Sequence, residues 1–141
     1  MSLPDLGEVY LDHIAVATKD LESSVSIFTK LGLNFSEDRE VVEDQKVKTA
    51  FAKIDKHANL ELLEPINNEG PIQKYIEKKG EGIHHLCFRV DDVNITMNKL
   101  KKEGFVFIYE KPKVGAHNCL INFIHPKSTG GILIEVSQKQ E

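Results

Sequence analysis

No apolar run in these 141 residues approaches the ~20 that a helix needs to cross a bilayer. The N-terminus lacks the basic and apolar regions of a secretory leader, and Met1-Ser2-Leu3 reads as a cloning remnant. Basic charge is not in excess: 18 Lys and Arg against 22 Asp and Glu leave a net charge of −4. Neither a membrane nor a nucleic-acid partner is therefore expected. Cysteine is scarce. Cys87 and Cys119 have neither a disulfide framework nor metal-ligand spacing, which suits a reduced, cytoplasmic setting. What remains is an ordinary soluble composition, 40% apolar and 28% charged. A chain of this length can bury one good core, or two small cores that share a face.

What the chain does have is a repeat. Residues 83–90 alternate, with Leu86, Phe88 and Val90 on one side and His85, Cys87 and Arg89 on the other. The segment Asp12-His13-Ile14-Ala15-Val16-Ala17 has the same layout. One histidine on a strand is most simply a hydrogen-bonded structural residue; two in matching contexts are not. Asp20 follows His13 at the distance at which Asp92 follows His85, and Gly32 and Gly104 stand equally far beyond. Each Asp suits a helix N-cap and each Gly a position just past a helix end. The pattern strand, cap, helix, glycine stop, strand occurs twice.

In chain order, residues 1–9 read as a loose lead-in and 10–17 as a strand. A helix over 21–31 follows, with Leu21, Val25, Phe28 and Leu31 on its apolar stripe. A short strand starts at 33–35. The charged stretch 36–46 reads as an exposed loop, with Gln45 gating a site. Strands are predicted at 47–54 and 60–64, giving βαβββ for a first module, 10–66. A linker, 67–81, holds a short helix from Pro71 to Gly80. The second module, 82–137, has strands at 83–90, 105–109, 118–124 and 131–137, with a helix at 93–103. Lys111 to Ala116 reads as a loop, and Gln138 to Glu141 as disordered. The fold class is α+β, two βαβββ modules.

Glu61 and Glu135 sit inside otherwise apolar strands, where an ionised carboxylate is costly unless a cation or hydrogen bonds compensate. Each lies about equally far beyond its module's histidine. Each module thus offers a first-strand histidine and a last-strand glutamate: His13 with Glu61, His85 with Glu135. Imidazole and carboxylate together suit a divalent first-row ion with positions left open. Without an ion, the histidines would be structural and the glutamates would face solvent.

These residues resemble the vicinal oxygen chelate superfamily, and over about 10–137 its methylmalonyl-CoA epimerase branch. The resemblance rests on Leu11-Asp12-His13-Ile14-Ala15-Val16, Leu60-Glu61-Leu62-Leu63-Glu64-Pro65, Gly80 to His85, Val114-Gly115-Ala116-His117 and His125-Pro126-Lys127-Ser128-Thr129-Gly130-Gly131. It implies that the two modules pair into a cupped, incomplete barrel-like sheet around a metal, with the metal ligands His13, Glu61, His85 and Glu135, and with His84 turned the other way. It also implies an acyl-CoA substrate, a homodimer, and epimerisation by removal of the proton next to the thioester. Two glutamates from different modules flanking one metal, Glu135 and Glu61, are expected to be the acid/base pair. The ion would be cobalt, nickel, zinc, manganese or iron. Lys127 and Ser128 would hold the substrate carboxylate or thioester tail, and His117, with Asn118, would line the pocket. Lys74, Lys78 and Lys79 are either solvated or face the CoA phosphates. His57 and His125 read as turn residues. Bacterial-type glyoxalase I uses the same four ligands, so that isomerisation stays open, as does a metal-free binding protein of the same fold. Two positions depart from the family. Thr49 stands where a member has a glutamate proposed as second acid/base, and Gly70 replaces a common acidic residue.

Overall fold

The computed structural model describes residues 3–140; Met1, Ser2 and Glu141 lie outside it, and with them most of the suggested cloning remnant. The elements are β1 Tyr10–Ala17, α1 Leu21–Lys30, β2 Glu40–Val42, β3 Val47–Lys53, β4 Asn59–Pro65, α2 Gly70–Lys79, β5 Gly82–Arg89, α3 Val93–Lys102, β6 Lys113–Val114, β7 Cys119–Ile124 and β8 Ile134–Lys139. The class is α+β, and βαβββ occurs twice. The chain divides into two compact units, His13–His84 and the residues to Asp12 together with those from His85.

In the His13–His84 unit the strand order is β2-β3-β4-β1. β4 pairs parallel with β1 and antiparallel with β3. Alternation along each strand gives the sheet two dissimilar faces. One packs Ala50, Leu60 and Leu62 under Leu21, Val25 and Phe28 of α1. The other packs Ala15, Ala17, Val47 and Leu63 under Ile72 and Ile76 of α2. Leu31 departs from the expected stripe. It caps the helix C-terminus and is 72% exposed, because its N–H turns back to the carbonyls of Phe28 and Thr29.

The His85 unit repeats the plan with the order β6-β7-β8-β5, β8 parallel to β5 and antiparallel to β7. Val93, Met97 and Leu100 of α3 pack on Val90, Ile124 and Val136. The lead-in is not loose. Leu6 joins this core, and the Lys99 ammonium donates to the Asp5 carbonyl.

The repeat reaches individual atoms. Asp20 Oδ1 accepts from Ser23 N at 3.1 Å, and Asp92 Oδ1 accepts from Ile95 N at 3.0 Å. Donation from Ser23 holds the Asp20 carboxyl below the usual range. The first amide of each helix is also met from the last strand, Leu21 N by Glu64 Oε2 at 2.6 Å and Val93 N by Gln138 Oε1 at 2.9 Å. These bonds satisfy amides that a helix start leaves without intrahelical partners.

Several stretches differ from the sequence reading, among them the expected loop from Lys111 to Ala116, which holds β6. Segments 33–35 and 105–109 are not strands and retain single bridges, Phe35 to Ala52 and Phe107 to Ile124. In the second case the buried Asn122 side chain takes the place of a ladder. Its Oδ1 accepts from Tyr109 N at 3.1 Å and its Nδ2 donates to Tyr109 O at 2.9 Å. The charged stretch 36–46 is an ordered segment containing β2, not an open loop. Arg39 grips both carboxylate oxygens of Glu22, at 2.9 and 3.1 Å. At the other end β8 starts later than expected, at Ile134, and runs through Gln138 and Lys139, where the sequence pattern predicts disorder.

Candidate active site

The four acid and imidazole side chains singled out by spacing occupy equivalent places in their units. In one, Ala15 pairs with Glu61 across β1 and β4, and Phe51 pairs with Glu61 across β3 and β4. In the other, Cys87 pairs with Glu135 across β5 and β8, and Phe123 pairs with Glu135 across β7 and β8. Each glutamate therefore stands opposite the residue two beyond its histidine, on the histidine's own face. That face is the one turned away from the Asp-capped helix of the unit. All four are buried: His13 8%, Glu61 6%, His85 6% and Glu135 8% exposed.

In the His85 unit the two groups meet. His85 Nε2 lies 3.1 Å from Glu135 Oε1. Each histidine also has a phenylalanine set edge-on to it, Phe51 at 6.5 Å from His13 and Phe123 at 5.6 Å from His85, centroid to centroid. The sequence reading does not single out these phenylalanines. The signal was available, because 51 and 123 are separated by the same interval as 13 and 85. Arg89, on the His85 face of β5, is also new. Its guanidinium pairs with Asp12 Oδ1 at 3.0 Å and reaches Cys119 Sγ at 3.6 Å. His84 turns the other way, as alternation requires, and its ring meets Tyr75 of α2 at 4.9 Å.

A donor pair spaced like His85 and Glu135 fits a divalent ion. Two ligand atoms at 2.0–2.2 Å from a metal and at right angles to each other are about 3 Å apart. One imidazole and one carboxylate per unit is the chemistry of a first-row transition-metal site.

The remaining candidates lie on turns of the His85 unit. In the 125–131 turn, Lys127 N donates to His125 Nδ1, Ser128 N to His125 O, and the amides of Thr129 and Gly131 to Pro126 O. These four amides are used within the turn. What it presents to an anion is the exposed Lys127 ammonium, not a nest of N–H groups. The Ser128 hydroxyl accepts from Val106 N at 3.0 Å, tying the turn to the 105–109 segment. His117 and Asn118 are exposed and adopt left-handed backbone conformations, φ 56° each. Lys74, Lys78 and Lys79 are exposed on α2, with Lys79 Nζ 5.9 Å from the Tyr75 ring centroid. The backbone N–H of His57 binds Asp55 Oδ1, a turn contact, and that bond with the one from Ala58 N lowers the Asp55 pKa.

Gly70 has a local explanation. Its φ is +90°, and a Cβ there would meet Lys46 Cβ at 2.9 Å and the Gln45 carbonyl at 3.0 Å. Glycine lets the start of α2 lie against the turn that follows β2. Gln45 acts there through its backbone.

The family model of the Glyoxalase/Bleomycin resistance protein/Dioxygenase superfamily matches residues 12–123. A methylmalonyl-CoA epimerase from Dictyostelium discoideum mitochondria is 36% identical over 136 residues, covering 95% of this chain and 81% of the relative. An ethylmalonyl-CoA/methylmalonyl-CoA epimerase from Cereibacter sphaeroides is 34% identical over 131 residues, covering 91% and 96%. A solved structure of a methylmalonyl-CoA epimerase in complex with methylmalonyl-CoA and NH4+ superposes with a TM-score of 0.84 at 32% identity, covering 92% of this chain and 93% of that one.

Proposed function

We propose a specific reaction for this chain, which belongs to the Glyoxalase/Bleomycin resistance protein/Dioxygenase superfamily and, within it, to the methylmalonyl-CoA epimerase branch. It is an isomerase of the epimerase type. Its substrate is methylmalonyl-CoA, and His13, Glu61, His85 and Glu135 together hold one divalent ion, cobalt, nickel, zinc or manganese. The observation that carries this reading is the duplicated set of a buried histidine and a buried glutamate with a half-buried phenylalanine beside them, at matching register in both units. The curated relatives favour epimerisation over a glyoxalase I reaction on the same four residues, and four buried donors would be superfluous in a metal-free binding protein.

Epimerisation removes the proton next to the thioester from one face and returns it to the other. The barrier is the negative charge of the enolate. When bound, the ion supplies Lewis acidity toward the thioester and carboxylate oxygens. Glu135 and Glu61 are the acid/base pair, one from each unit, and exchange the proton at opposite faces of the carbon. Phe51 and Phe123 keep water from the histidines. The Lys127 ammonium holds the substrate carboxylate or the thioester tail, Ser128 adds a hydroxyl, and His117 lines the approach. The active form is a homodimer.

Glu61→Gln and Glu135→Gln test the reading through solvent deuterium exchange into single epimers. A loss of about 10²–10⁴-fold is expected at each, the usual contribution of a positioned acid or base. Full activity with retained metal in both variants would refute it.

A further inference from the structure

Among the described residues, the sheet face that carries His13 and Glu61 has one further strand carboxylate, Glu40. Glu40 pairs with Thr49, and Thr49 with Leu63. Phe51, two residues along β3 from Thr49, pairs with Glu61. Residues paired in this way share a face. The row Glu40–Thr49–Leu63 thus runs beside the row Phe51–Glu61, about 7 Å along the strands. Glu40 stands two strands, about 10 Å, from β4. Its position is braced from both sides. Thr49 Oγ1 donates to the Glu40 carbonyl at 3.3 Å. The preceding residue, Arg39, holds Glu22 as well as the Ser36 carbonyl, the latter at 2.6 Å. Glu40 is half-buried on this short, anchored strand.

A carboxylate whose lone pairs are engaged by a cation is a weakened base, and Thr49, beside Glu40 in its row, does not ionise near neutral pH. The His85 unit offers Glu135 for both ligation and proton transfer. The other unit offers two carboxylates on one face, so the two tasks can be divided. We propose that Glu40 is the general acid/base on the side of the His13–His84 unit, with Glu61 kept as ligand. This rests on the epimerase reading and replaces Glu61 in the acid/base pair named there; a loss of activity in Glu61→Gln is then the loss of a ligand and follows the metal content. In one direction the Glu40 carboxylate takes the α-proton, the C–H electron pair moves into the enolate, and the Glu135 carboxylic acid returns a proton to the opposite face. The reverse direction exchanges the two roles, and no other reactant is consumed.

The test uses full-length, metal-loaded protein and the variants Glu40→Gln, Glu40→Gln with Thr49→Glu, and Glu135→Gln, with metal content and melting temperature as controls. For Glu40→Gln, epimerisation should fall at least 100-fold, while one epimer still exchanges its α-proton for solvent deuterium through Glu135. Adding Thr49→Glu, which returns a carboxylate one strand inward, should restore at least tenfold. Glu40→Gln activity within threefold of wild type would overturn the proposal. So would a loss that Thr49→Glu does not restore, because it would mark Glu40 as structural. Failure of the epimerase reading shows separately, as wild-type protein inactive on methylmalonyl-CoA or Glu135→Gln fully active.

Discussion

His85 Nε2 lies 3.1 Å from Glu135 Oε1, two buried groups on neighbouring parallel strands. A hydrogen-bonded pair at that separation can hold itself without an ion, and it can also open onto one. Replacing His85 by Ala removes a polar partner from a buried carboxylate, at a cost of about 1–3 kcal/mol. Urea denaturation of the metal-free protein should show that loss. On the proposed ligation, cobalt, nickel, zinc or manganese should raise the melting temperature of the wild type, and the same variant should lose that rise. A ligand at 100 times its Kd stabilises by about 2.7 kcal/mol, so the missing rise is easily measured.

The caps give a prediction free of any functional assumption. Asp92→Ala removes the acceptor for Ile95 N and should cost about 1 kcal/mol. Gln138→Ala removes the acceptor for Val93 N at the same helix start. Because both act on one helix end, their effects in the double variant should be non-additive. Chemical denaturation of the four proteins in the cycle measures this.

Gly70→Ala should destabilise by about 1–3 kcal/mol, the cost of a side chain in a sparsely populated backbone region. The added Cβ also meets Lys46 Cβ at 2.9 Å. An acidic residue here, Gly70→Asp, should cost at least as much.

The link between Arg39 and Glu22 predicts a pH dependence. The hydrogen bond from Arg39 lowers the Glu22 pKa from its ordinary value of 4.5. The unfolded chain therefore binds the proton more readily than the folded one. The pair's contribution is present in full above pH 4.5 and is lost as pH falls through the lower folded value. Glu22 is 63% exposed, so the amount is at most about 1 kcal/mol. A double-mutant cycle with Glu22→Gln and Arg39→Gln should give a coupling energy at pH 7 that shrinks as pH falls below 4.5.

The equivalence of the candidate residues was legible in the sequence because the arrangement occurs twice. His13 with His85, Glu61 with Glu135, and the Asp and Gly signals around each helix reinforced one another, and the structure puts each at its equivalent place. What was not legible depends on partners distant in the chain. The 105–109 segment has a strand's composition, but the Asn122 side chain takes up the backbone groups of Tyr109. Glu40 to Val42 has the composition of a loop, but β3 pairs with it and Arg39 fixes its start. Local pattern cannot show which backbone groups a distant side chain will claim. Nor could it show that the amides of the 125–131 turn are used within the turn, which leaves Lys127 as its feature for binding an anion.

The most direct test follows the α-proton of methylmalonyl-CoA in D2O by NMR, with purified protein before chelation, after it, and after return of a divalent ion. The account predicts rapid deuterium incorporation with interconversion of the epimers, abolished by EDTA and restored by metal. Incorporation unaffected by chelation of demonstrably metal-free protein, or none with any ion, would contradict it.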